Sequence, residues 1–196
     1  MRIVAVSDLH LDAARADALV AASEGADLVI GAGDFAQNHD GLDAYMARLA
    51  PLADRMIVVP GNNETLEALR GATDALVLHG GWVDWNGVIV AGLGGGVPPI
   101  PPQPWGSWDL NEAAAGDLLD AIPAADVLVT HSPPYGMGDD HAREGRIGSA
   151  AIKSAILRLK PALSLFGHVH DCWGESGTLG PTRWRNLGPD PVWFDL

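Results

Sequence analysis

Apolar residues in this chain occur in two spacings, and each predicts a different element. Short unbroken runs at Arg2–Val6, Asp27–Ala32, Met56–Val59, Asp126–Val129 and Leu163–Phe166 read as strands buried on both faces. Ala13–Ser23, Gly41–Leu52, Asn111–Ala121 and Ile147–Leu159 carry the wider spacing of helices. Strand, helix, strand is the βαβ unit of a parallel sheet, and the first half of the chain repeats it. The middle changes character: Ala75–Leu78, Trp82–Trp85 and Gly87–Gly92 are short, separated by Gly-Gly and Asn-Gly, and predict hairpin strands around Trp85-Asn86-Gly87-Val88. Thr182–Asn186 and Val192–Asp195 alternate with aromatic residues and are expected to close a second sheet. The pattern predicts an α/β fold of two stacked mixed sheets with helices outside.

The 196 residues, 47% of them apolar, suffice for a full core in one domain, residues 1–196. Val97–Trp108, VPPIPPQPWGSW, has too many prolines for a helix or central strand and is read as a loop. Two roles suit it: a semi-rigid lid in which Trp105 or Trp108 offers a flat face to substrate, or a cover over core apolar surface. A net charge of −13 with no Lys/Arg cluster argues against long nucleic acids, whose binding rests on phosphate neutralisation. A small phosphate ester stays open, because bound cations reverse the local field. The single cysteine, Cys172, forms no internal disulfide and is expected to pack as a small apolar residue. MRIVAVSD enters chemistry at once, leaving no room for a signal peptide, and no apolar run nears the ~20 residues of a membrane span, so a cytoplasmic protein is expected. A monomer or a homodimer is expected, the loop and Val192–Phe194 being the apolar surfaces for self-association.

Four short clusters carry the chemistry: Asp8-Leu9-His10, Gly33-Asp34, Gly61-Asn62 and Gly167-His168-Val169-His170, together with His131. Each follows an apolar run, so all fall at strand ends, where α/β sheets place ligands. In Asp8-x-His10 and His168-x-His170, residues two apart point the same way if the chain is still extended, so each pair can face one cleft. Imidazole with oxygen donors suits Mn, Fe, Zn or Co better than Mg or Ca. His39 and His141 lie in loops expected to overhang the cleft, whereas His79 reads as a turn residue.

The motifs SDLH, GAGD, GNNE, THSPP and GHVH, in this order, resemble the calcineurin-like metallophosphoesterases over nearly the whole chain. Within that superfamily, GDF, GHVHD and the late RNLGP are most similar to the small bacterial Icc-like phosphoesterases. The resemblance implies a four-layer αββα sandwich, the metallo-dependent phosphatase fold. It also implies two divalent metal ions: Asp34 bridging both, Asp8, His10 and His170 completing one, Asn62, His131 and His168 the other. Two such ions lower the pKa of a bridging water and hold an ester in line for hydrolysis.

One position departs from the family: Asn63 stands where a His usually protonates the leaving oxygen or steadies the transition state. An amide does not titrate near neutrality, so a preference for good leaving groups is expected, with His39 or His141 as the groups able to supply the proton. The catalytic candidates are therefore Asp34, Asn62, His131, His141 and His39, and the expected activity is a phosphodiesterase. The alternatives are a phosphomonoesterase or protein phosphatase, and a metal-binding scaffold that has lost catalysis.

Overall fold

The computed structural model describes residues 1–196. In chain order its elements are β1 (Arg2–Val6), α1 (Ala13–Ala22), β2 (Leu28–Gly31), α2 (Leu42–Leu49), β3 (Met56–Val58), α3 (Leu66–Ala72), β4 (Leu76–Val77), β5 (Gly81–Trp85), β6 (Val88–Leu93), α4 (Glu112–Asp120), β7 (Val127–Thr130), β8 (Asp140–His141), β9 (Gly145–Arg146), α5 (Ala150–Leu159), β10 (Leu163–Phe166), β11 (Ser176–Leu179), β12 (Thr182–Asn186) and β13 (Val192–Asp195). The first sheet has the order β13-β1-β2-β3-β4 and the second β11-β12-β10-β7-β6-β5, while β8 and β9 form a separate ribbon.

Alternation along the buried strands builds the layers. Ile3 and Ala5 of β1 face the other sheet with Ile30, Ile57, Val129 and Leu165, while Val4 and Val6 face the helices with Leu19, Met46 and Leu69. On the far side Ala91, Leu128 and Phe166 pack against Leu119, Ile152 and Ile156 of α4 and α5. The three apolar seams make a four-layer αββα sandwich, the expected class. Each fully buried Leu, Ile or Val contributes about 1.5–3 kcal/mol through removal from water.

Helix ends follow from local chemistry. Asp12, Thr65, Asn111 and Ser149 each accept hydrogen bonds from the first-turn N–H groups of α1, α3, α4 and α5. The helix expected over Gly41–Leu52 is α2 followed by a 3₁₀ segment, Ala50–Arg55, because Pro51 is compatible only with the opening of a new turn.

Two expectations need correction. Ala75–Leu78 is not part of the hairpin: it supplies β4, which runs parallel to β3 at the edge of the first sheet, and the hairpin is β5–β6 alone, turning at Asn86 and Gly87 with positive φ. Val192–Asp195 does not close the second sheet but pairs antiparallel with β1 in the first. The chain crosses between sheets at Gly188, whose carbonyl accepts from Ser7 N–H and whose N–H donates to Ser7 Oγ. The helix α3, strand β11 and the ribbon β8–β9 carried no readable pattern.

The register matters most for function. Val6 lies beside Gly31 and Gly31 beside Val58, so the first three strands end level. Leu165 lies beside Val129 in the second sheet, and Gly167 N–H donates to the His131 carbonyl at 2.9 Å. All five strand ends therefore open at the same edge of the sandwich.

Candidate metal centre

Asp8, His10, Asp34, Asn62, His131, His168 and His170 converge at that edge, around the Asp34 carboxylate. Its Oδ2 lies 3.6 Å from His10 Nε2, and its Oδ1 lies 3.4 Å from His131 Nε2. On the first side, His10 Nε2 is 3.3 Å from His170 Nε2, which is 3.7 Å from Asp8 Oδ1. On the second, Asn62 Oδ1 lies 3.0 Å from His131 Nε2 and 3.1 Å from His168 Nδ1. One carboxylate thus offers an oxygen to each of two donor sets.

The clusters reach this arrangement by turning rather than by staying extended. Asp8, His10, Asp34 and His168 all have positive φ, and His170 begins a 3₁₀ turn. The extended-pair geometry read from the sequence is therefore replaced by left-handed turns, a strain of about 1–2 kcal/mol per residue that neighbouring hydrogen bonds must offset. Asp8 N–H donates to the Gly33 carbonyl and His10 N–H to the Asp34 carbonyl, each at 2.9 Å, zipping the first two ligand loops together. Position 61 must be glycine, since a Cβ there would run into the Asp34 carboxylate.

A buried clamp holds the loops from behind. Glu64 accepts from the N–H groups of Gly61 at 2.6 Å, Asp34 at 2.8 Å and Ala36 at 3.0 Å. Burial, and then the charge of Asp34, push its carboxyl up to about 7. Asp8 Oδ2 accepts from Ser7 Oγ at 2.6 Å and from Trp173 Nε1 at 3.1 Å, and the Trp173 ring lies 4.3 Å from that of His170. The His168 N–H reaches both Asp8 oxygens, at 3.1 Å from Oδ1 and 3.2 Å from Oδ2, and Oδ1 is the oxygen that faces His170 Nε2. Ser7 and Glu64 sat inside the motifs without a role, and nothing in the pattern pointed to Trp173.

The residues fit a pair of cations. His131 donates from Nδ1 to the Ala32 carbonyl at 2.9 Å, so Nε2 is the nitrogen it turns toward the Asn62 oxygen, Asp34 and His168. The oxygens of Asn62 and Asp34 favour positive charge at this focus, whether a proton on His131 or a cation in its place. Burial works against charge on His131, yet Asp34 and Asp8 outweigh it and raise the imidazole to about 9. Burial and the nearby His131 lower His168 to about 4, so its ring is neutral. His10 Nδ1 is buried without a partner. Asp8 with His10 and His170, and Asp8 with Asp34 and His131, form groups whose ligand atoms all lie within 4.8 Å.

The remaining candidates are placed unequally. His141 shares with His168 and His170 a cavity of about 350 Å³ whose other walls include Ile100, Pro101, Glu144, Ile147 and Asp171. His39 lies outside that cavity: its ring packs on Trp105 at 5.5 Å and its Nε2 meets the Gly106 carbonyl. The Val97–Trp108 loop does wall the cavity, but through Ile100, Pro101 and Gln103, whereas Trp108 packs on His79 at 5.1 Å. Asn63 is not among the walls of the cavity. Its Nδ2 donates to Asp34 Oδ2 at 2.8 Å, its N–H to Asp34 Oδ1 at 2.9 Å, and its Oδ1 accepts from Asn38 N–H at 2.9 Å.

The family model of the calcineurin-like phosphoesterases matches residues 1–172. UPF0046 protein T07D4.2 of Caenorhabditis elegans is 32% identical over 138 residues, 63% of this chain and 33% of its own. Metallophosphoesterase domain-containing protein 1 of Homo sapiens is 30% identical over 122 residues, 59% of this chain and 35% of its own. The chain thus spans about a third of the length of these curated relatives. Among solved structures, the protein TT1561 of Thermus thermophilus superposes with a TM-score of 0.72 at 20% identity over 95% of this chain and 88% of that one. A dimetal phosphatase from Danio rerio does so at 0.60 and 13% over 97% and 88%. Identities this low show the shared fold alone, but the family match runs from the first strand past GHVH and takes in every converging ligand. This chain therefore belongs to the calcineurin-like phosphoesterases.

Proposed function

We propose that this protein is a metal-dependent phosphodiesterase for small phosphate esters, with two divalent cations held on either side of Asp34. The observation that carries this reading is the pair of donor sets sharing that carboxylate beside a cavity of about 350 Å³. Asp8, His10 and His170 would hold one cation and Asn62, His131 and His168 the other. Such a pair supplies Lewis acidity that activates water and draws charge from phosphoryl oxygens.

The protein's own residues set what that chemistry acts on. Only Asp8 and Asp34 among the proposed ligands are carboxylates, so the loaded centre keeps positive charge for an anionic ester. The neutral oxygen of Asn62 contributes to that balance. The cavity walls carry Glu144 and Asp171 but no lysine or arginine, which favours a singly charged diester over a doubly charged monoester. Ile100, Pro101 and Ile147 offer an apolar face to the leaving group. His141 accepts at Nδ1 from the N–H groups of Arg143 and Glu144, so Nε2 is the nitrogen it presents near Asp171; because it lines the cavity and His39 does not, His141 is the proposed donor to a leaving oxygen. Two structural neighbours at 14% identity, YfcE from E. coli and an archaeal protein, are named as a phosphoesterase and a phosphodiesterase respectively.

The test is hydrolysis of bis(p-nitrophenyl) phosphate against p-nitrophenyl phosphate by metal-stripped protein resupplied with Mn²⁺. Diester turnover should exceed monoester turnover, require the metal, and fall at least about a hundredfold in Asp34→Asn. Equal or faster monoester turnover would replace the reading with a phosphomonoesterase. Metal binding without turnover of either compound would favour the scaffold.

A further inference from the structure

We propose that Ser107, held by Asp109, is the positioning residue that turns the Asn62 oxygen into the metal centre. The Val97–Trp108 loop thereby governs one of the two cation positions. The inference rests on the two-cation reading above and adds to it a residue outside every ligand motif.

Asn62, Ser107 and Asp109 form a chain of donors with a fixed direction. An asparagine amide has one oxygen, which can ligate a cation, and one nitrogen, which cannot, so its value depends on which end faces inward. Asn62 Nδ2 lies 2.9 Å from Ser107 Oγ, and Ser107 Oγ lies 2.7 Å from Asp109 Oδ1. A carboxylate only accepts, so the single hydroxyl proton of Ser107 is spent on Asp109. Ser107 then has only lone pairs to offer, and the amide end facing it must be the nitrogen. The oxygen is left toward His131 Nε2 at 3.0 Å and His168 Nδ1 at 3.1 Å. Reversing the amide would set oxygen against oxygen at Ser107 and N–H against the metal position.

The loop is built to hold this chain still. Trp108 N–H donates to the Asn62 carbonyl at 3.0 Å, fixing the backbone that carries the amide. Asp109 is fixed in turn by Ile100 N–H, which donates to Oδ2 at 3.3 Å. Gly96 lies directly under the Asp109 carboxylate, where a Cβ would collide with it, and its N–H donates to the Trp108 carbonyl at 3.1 Å. The set of donors around Asp8, His10 and His170 has no contact with Ser107 among its hydrogen bonds, the partners that orient Asp8 being Ser7, Trp173 and the backbone N–H of His168. Loss of the Ser107 hydroxyl should therefore act on one cation and spare the other.

The test titrates metal-stripped wild type, Ser107→Ala and Ser107→Thr with Mn²⁺ by calorimetry, alongside the EPR signature of a coupled Mn²⁺ pair and thermal melts. Wild type should bind two Mn²⁺. Ser107→Ala should keep one Kd and weaken the other about 10–100-fold, with the coupled signal lost at limiting metal. Ser107→Thr, which keeps the hydroxyl, should restore both. Two undisturbed sites in Ser107→Ala would overturn the proposal. So would equal weakening of both sites with a lowered melting temperature that Ser107→Thr does not rescue, since that is a loop-packing effect. Wild type binding fewer than two Mn²⁺ would instead overturn the two-cation reading itself, and this inference with it.

Discussion

Asp34 receives hydrogen bonds on both carboxylate oxygens from a single residue, Asn63. That contact revises what the sequence suggests about position 63, where the absence of the family's histidine reads as a lost proton donor. The side chain present is buried and grips Asp34 with one end and the Asn38 backbone with the other. Asn63→Asp, which keeps size and replaces the donating nitrogen by an acceptor beside Asp34, should weaken Mn²⁺ binding about 10–100-fold by titration calorimetry. Binding equal to wild type would show that the grip on Asp34 has no part in metal affinity. The type and order of the proposed ligands were legible in the sequence, because strand ends in an α/β sheet leave few places for Asp and His to gather. Their partners were not: Ser107 and Trp173 are ordinary loop residues until the fold sets them beside Asn62 and Asp8.

The elements around the centre are steadied from their termini. Glu112, in the first turn of α4, reaches across to the start of α5, where its carboxylate accepts from Ser149 Oγ at 2.9 Å, Ala150 N–H at 3.0 Å and Ala151 N–H at 2.7 Å. A carboxylate at a helix N-terminus satisfies orphan donors and complements the helix dipole. It also locks the pair of helices that cover the second sheet. Glu112→Ala should cost about 1–2 kcal/mol in urea unfolding, while Glu112→Gln should recover part of it through the retained acceptor. A change within about 0.3 kcal/mol for the alanine variant would contradict this role. Helices α1, α2, α4 and α5 were readable from spacing. The short helix α3 was not, for its apolar residues are too few to set a period.

At the scale of the molecule, the proposed cations tie the two sheets together, since Asp8, His10, Asp34 and Asn62 follow strands of the first and His131, His168 and His170 follow strands of the second. Ligand that binds only the folded state stabilises it by mass action, about 2.7 kcal/mol per site at a concentration a hundred times Kd. Mn²⁺ should therefore raise the melting temperature of metal-stripped protein, and EDTA should reverse the rise. The gain should also grow with pH. Without metal His131 keeps its proton up to about 9, and a cation must displace that proton, so at fixed Mn²⁺ the occupancy and the stabilisation increase as pH rises from ~7 toward 9. A gain independent of pH would remove His131 from the ligand set. No helix is long and apolar enough to cross a membrane.

What the sequence by itself determined was the two-sheet α/β class and the kinds of atom at the proposed centre. Burial on both faces produces unbroken apolar runs, and the polar residues that end them can only lie at a sheet edge. The tertiary structure decided which sheet Val192–Asp195 joins, because an edge strand with alternating exposure fits either sheet equally well. It decided that the ligand pairs meet through left-handed turns rather than extended chain, since φ is set by contacts between loops distant in sequence. It also decided the two orientations on which the chemistry turns: Asn63 toward Asp34, and the Asn62 oxygen toward the histidines. Such orientations depend on hydrogen-bond partners brought near by the fold, and local spacing carries no record of them.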